Sequence, residues 1–145
     1  MSFEQEIDDV FAEVKTKPVL ALVPPAVVLP PMFEKHLPHL EAALEGTFHK
    51  IADVVDAVMA GRAQFWPGKE SALVTEIDTI SGTKVIRVWL AGGNMDEIVS
   101  MAPGIEAWAR LQGCVSVLVE GRKGWEKVMK AFGYEPWIVT LRKGL

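Results

Sequence analysis

The sequence is short of the residues that hold small or exported proteins together. Its one cysteine in 145 residues, Cys114, excludes a disulfide framework and a cysteine-rich zinc site, and fits a reducing compartment. Histidine occurs three times. His36 and His39 flank Pro38 on a helical stretch, but no acidic or thiol ligand stands at a fixed spacing from them, so no metal is expected. Basic charge is scarce as well: 15 Lys and Arg face 19 Asp and Glu, a net charge of −4 and an isoelectric point near 5.4, which argues against nucleic-acid binding. Long apolar runs are missing. The longest candidate, Pro18–Pro31, holds five prolines, and a membrane helix needs about twenty apolar residues without such breaks. Met1–Thr16 is acidic and has no basic leader region, so a cytoplasmic protein without membrane contact is expected.

What is present is apolar. Half of the residues are hydrophobic and mean hydropathy is +0.21, the composition of one domain with an ordinary core. Five tryptophans against one tyrosine is the unusual entry in the composition. Charge is uneven along the chain. Residues 110–145 carry seven basic and three acidic side chains, net +4, while residues 1–109 carry eight and sixteen, net −8. The basic third could seat an anionic ligand or be a solvated helix face.

Residues 1–16 read as a short acidic helix. Lys17–Pro31 follows as a proline-rich apolar arm with a candidate strand at Val19–Val23, either an edge strand or a docking arm for another subunit. We therefore divide the chain into an arm, residues 1–32, and a folded body, residues 33–145. Two helices are predicted over 32–46 and 48–60, from the stripes Phe33, Leu37, Leu40, Leu44 and Ile51, Val54, Val55, Val58. Three antiparallel strands come next, Arg62–Trp66, Ser71–Ile80 and Thr83–Leu90, with turns at Pro67-Gly68 and Ser81-Gly82. In the third, Val85, Arg87 and Trp89 should face one side and Ile86, Val88 and Leu90 the other. The remainder reads as a helix over Asn94–Gln112 (interrupted by Pro103), a strand over Cys114–Val119, a helix over Lys123–Phe132 and a last strand over Trp137–Leu141. A strand, helix and strand here form a βαβ unit, so the third and fourth strands should be parallel.

The fold class expected is α/β, three layers, with a mixed central sheet. This order resembles the GNAT (GCN5-related N-acetyltransferase) superfamily. Gly133-Tyr134-Glu135, at the end of the last helix, is similar to that family's glycine–aromatic pair followed by an acid. More narrowly, Trp66-Pro-Gly68, Val74-Thr-Glu-Ile77, Trp89-Leu-Ala-Gly-Gly93 and Gly121-Arg-Lys-Gly-Trp125 resemble small GNAT-like proteins of tailed phages and prophages. The resemblance covers residues 33–142. It implies acetyl-CoA as acyl donor, an unknown amine as acceptor, and a host cytoplasm or virion as setting.

By this resemblance the pyrophosphate-holding loop falls on Leu90, Ala91, Gly92, Gly93 and Asn94. The family's spacing of glycines is incomplete there. Asn94 and Glu97 also have capping-box spacing, with Asp96 between, which would occupy the N–H groups a phosphate needs. The tyrosine that protonates the departing thiolate in many relatives falls at Met129, which has no proton to give. Arg122 and Lys123 could reach a phosphate instead. Glu76, two residues from Asp78 on one strand face, is the candidate general base, although alternate polar residues are ordinary on such a strand. His49 reads as a capping or exposed residue near a helix start, and Cys114 as a small core residue. Two functions follow: acetyl-CoA-dependent acyl transfer, or an inactive fold serving as a structural or protein-binding scaffold, with residues 17–31 as the surface for a partner or for self-association.

Overall fold

A computed structural model describes residues 29–121 and 123–145. The acidic N-terminal helix, the Val19–Val23 strand and most of the arm lie outside these residues. The elements are α1 (Leu29–Leu44), α2 (Ile51–Met59), β1 (Ala63–Pro67), β2 (Ser71–Ile80), β3 (Thr83–Gly93), α3 (Met95–Leu111), β4 (Val117–Val119) and α4 (Gly124–Lys130). Helix α1 begins before the expected position, taking Pro30 and Pro31 into its first turn, where the missing proline N–H has no helical partner to lose. Pro38 and Pro103 lie inside α1 and α3, and neither divides its helix.

The four strands form one sheet in the order β1-β2-β3-β4. β1 and β2 are antiparallel, as are β2 and β3, while β3 and β4 run parallel, so the mixed α/β architecture is the one expected. Ser81 and Gly82 both have positive φ, 49° and 81°, the backbone of a two-residue turn whose twist matches its strands. Helices α1 and α2 cover one face, where Leu40, Val54, Val58, Phe65, Val74 and Leu90 form a core. Helix α3 covers the other, packing Ile98, Ile105 and Trp108 on Leu73, Ile86 and Val88.

Two expectations fail. The last strand, Trp137–Leu141, does not form: these residues join no sheet and have no regular secondary structure. The alternation of β3 also breaks. Val74 pairs with Leu90 and Thr75 with Val88, which leaves Trp89 with no residue opposite it. A bulge of this kind turns two successive side chains to the same face. Trp89 and Leu90 both join the α1–α2 core, and Ala91 joins Val88 on the α3 side.

Candidate functional site: a cleft between diverging strands

β4 pairs with β3 at three positions only, Val117 with Ile86, Leu118 with Arg87 and Val119 with Val88. Beyond Val88, where β3 carries its bulge, the pairing with β4 ends and a cavity of about 680 Å³ lies between the strands, a size that suits a small-molecule site. One wall is Trp89–Gly92 and the other Val119–Gly121. Because the cavity passes through the sheet, it meets both layers: Thr47, Phe48 and His49 after α1 on one side, and Ile98, Ile105, Trp125 and Met129 on the other. Its lining is mainly apolar. His49, Tyr134, Thr140 and Arg142 are among its polar contributors.

The loop after β3 is built differently from the expectation. Gly92 is the place where α1 crosses β3, and a Cβ there would collide with the His39 carbonyl. Gly93 has φ 115°, and a Cβ there would strike the Glu70 carbonyl and Ser71. Both glycines are thus accounted for by packing of the chain on itself. Asn94 caps α3, its Oδ1 accepting the Glu97 N–H at 3.0 Å. The reciprocal half of the capping box is absent, because the Asn94 N–H goes to the Glu70 carbonyl at 3.2 Å. The Glu97 carboxylate instead accepts the N–H groups of Lys69 and Glu70, both at 3.0 Å, and the Ser71 hydroxyl. The Ser71 bond, then the bond from Glu70, hold the Glu97 carboxyl below the usual range. Its charge therefore ties the β1–β2 turn to the first turn of α3.

Glu76 is not among the cavity residues. It lies 3.4 Å from Arg87 Nη1, and Asp78 lies 2.9 Å from the same nitrogen. Glu120, at the cavity wall, approaches Arg87 Nε at 3.1 Å. One guanidinium thus gathers three carboxylates from β2 and the end of β4. His49 is exposed, as read, and it also lines the cavity, edge-on to Trp89 with ring centroids 5.1 Å apart. Nothing in its position in the sequence signalled this, since the wall it faces is supplied by Trp89 from β3, far along the chain.

Met129 is buried and lines the cavity. Tyr134 lines it too, and its hydroxyl donates to Glu106 at 3.0 Å. Burial, then the Glu106 charge, push the phenol well above its ordinary pKa. Gly133, with φ 89°, makes the turn that ends α4, and the Tyr134 N–H returns to the Met129 carbonyl at 3.2 Å. Lys123 is exposed next to α4, and Arg122 lies outside the described residues. Cys114 is half-buried beside the α3-side core, and burial raises its thiol pKa. Among the described residues, no three His, Cys, Asp or Glu are grouped to hold a metal, and no helix is long and apolar enough to cross a membrane.

No protein-family model matches the chain, and no curated protein matches it. Solved structures do. A Trypanosoma brucei acetyltransferase superposes with a TM-score of 0.57 at 13% identity, over 79% of this chain and 94% of its own. An aminoglycoside acetyltransferase from an uncultured soil metagenomic sample, in complex with sisomicin, gives 0.57 at 11%, over 79% and 89%. A Thermus thermophilus protein gives 0.51 at 14%, over 74% and 89%. At these identities the likeness is one of fold: the chain shares the mixed α/β architecture of these acetyltransferases, as its order of elements led us to expect.

Proposed function

We propose that this chain is an acetyl-CoA-dependent N-acyltransferase that holds its acyl donor in the cleft between β3 and β4. The divergence of these parallel strands past Val88 and Val119 carries the reading. It leaves the β4-facing edge of Trp89–Gly92 without a strand partner, beside apolar walls that suit a thin, mostly apolar arm with an amide or two. Asn94 claims only one N–H at the start of α3. Met95 and Asp96 keep theirs, with no partner inside the helix, and Arg122 and Lys123 add charge for the phosphates. A tailed phage or prophage is the setting that the narrower motifs suggest.

The donor supplies an acyl group on a thioester. The amine is held in line with it, so that much of the rate comes from positioning. A C–N bond forms as the C–S bond breaks, and the proton leaving the amine passes to the His49 imidazole, directly or through water. We place His49 ahead of Glu76 in this role because it lines the cavity while Glu76 is held by Arg87. The sulfur leaves as a thiolate, whose conjugate acid has a pKa of about 8.5, and takes its proton from solvent. Met129 cannot give one.

By linkage, millimolar acetyl-CoA is expected to raise the melting temperature of the full chain, and the double change Arg122→Ala, Lys123→Ala to reduce that rise. An unchanged Tm in the wild type would overturn the proposal. It would favour the second reading, an inactive scaffold with residues 17–31 as its docking arm. The apolar Met129 at the place of a proton donor is the observation behind that alternative.

A further inference from the structure

The segment Pro136–Leu141 has the composition of a core strand and no core around it. It contains Trp137, Ile138, Val139 and Leu141, no charge and no glycine, which favours extended pairing. Yet Trp137 and Ile138 are each 69% exposed, Val139 81% and Leu141 90%. One bond found for the segment's end is made by Arg142, whose Nη1 donates to the Gly46 carbonyl at 3.0 Å. The same guanidinium lies 5.7 Å from the centroid of Phe48, itself 85% exposed. Phe48 and the tail, linked through Arg142, thus leave large apolar side chains in water to a degree that monomeric proteins seldom do.

We propose that residues 135–143 pair antiparallel with the same residues of a second copy of this chain, about a two-fold axis through Val139. The register follows from the sequence. Side chains alternate along a strand, so only an axis through a residue sets Trp137, Val139 and Leu141 of both copies on one face. Among such axes, the one through Val139 also sets Glu135 of each copy opposite Lys143 of the other. Shifting the axis by one residue in either direction loses that pairing of opposite charges. In the chosen register Trp137 faces Leu141 and Val139 faces its own copy. Arg142 stays with the turn after α1. A two-stranded ribbon alone is marginal, so the Phe48 surfaces complete its cover and the dimer is expected to be weak, with a dissociation constant on the order of tens of micromolar. Such an interface is isologous, as most dimers are.

Sedimentation velocity on the full chain tests this. The wild type should dimerise as concentration rises through that range. Val139→Lys and Val139→Glu each set like charges directly opposite at the axis, and each should be monomeric with an unchanged melting temperature, since the site is exposed. An equimolar mixture of the two variants should dimerise again, because Lys then faces Glu. A wild type that stays monomeric at several hundred micromolar overturns the proposal. So does either variant that still dimerises alone, or a mixture that stays monomeric.

Discussion

At the scale of single residues, Glu76 lies 3.4 Å from Arg87 Nη1, and His49 lines the cavity with its ring 5.1 Å from that of Trp89. Glu76 has the composition of a strand base, and His49 that of a loop residue. Their positions reverse the order of merit, because Arg87 engages Glu76 while His49 lines the cavity beside Trp89. If acyl transfer is the function, His49→Ala should lower kcat/KM by about 100-fold, the usual worth of a positioned base. Glu76→Gln should leave it within roughly threefold, as expected for a group outside the transition state. Steady-state kinetics with acetyl-CoA and an accepted amine would settle the order, and the opposite ranking would return the role to Glu76. The tryptophans divide in the same way. Trp108 is core and stands edge-on to Trp66, and the Trp66 Nε1 donates to Thr75 Oγ1 at 2.9 Å. Trp125 lines the cavity and Trp137 is open to solvent.

At the scale of elements, strands and helices were largely readable because their periodicity and turn residues agree. β2 occupies the expected Ser71–Ile80, and β3 runs three residues past its expected end. The bulge was not readable, since nothing local in Val88-Trp-Leu90 distinguishes it from regular alternation. The glycines of the loop show the same limit. Gly92 has the look of a ligand-approach residue, but its constraint is the His39 carbonyl of α1. Gly92→Ala would force α1 off β3, and overpacking against backbone costs about 3 kcal/mol. Chemical denaturation should show that loss as a lower midpoint with an unchanged slope. A variant as stable as wild type would mean that α1 yields freely there.

At the scale of the whole molecule, α1, the β1–β2 turn and the start of α3 meet around a titratable pair. His36 is 2% exposed, and its Nδ1 has no hydrogen-bond partner. Burial, then the charges of Lys35 and His39, lower its pKa, against a raising effect from the Gly68 backbone and Glu97. The folded protein therefore holds His36 neutral at a pH where the unfolded chain takes up a proton. Stability from this group is complete above the unfolded value, near 6.5, and is lost as pH falls below it. Glu97 works in the same direction at lower pH: its depressed carboxyl stabilises the fold above the ordinary carboxylate range, and that contribution fades as pH falls through its folded value. Melting temperature should accordingly decline from pH 7 to pH 5, and His36→Phe should flatten that decline while leaving the loss at lower pH. An equal slope in the variant would assign the acid sensitivity elsewhere.

The sequence by itself determined the layer order, the mixed sheet, the turns and the absence of a disulfide framework. Each of these follows from short-range pattern: side-chain period, turn chemistry, residue counts. Tertiary structure decided which carboxylates are engaged, where β3 breaks its alternation, and that Trp137–Leu141 stays outside the sheet despite its strand-like composition. Those outcomes depend on what stands opposite a residue in space. A charge is available or occupied according to its partner, and a strand exists only when another backbone offers it hydrogen bonds.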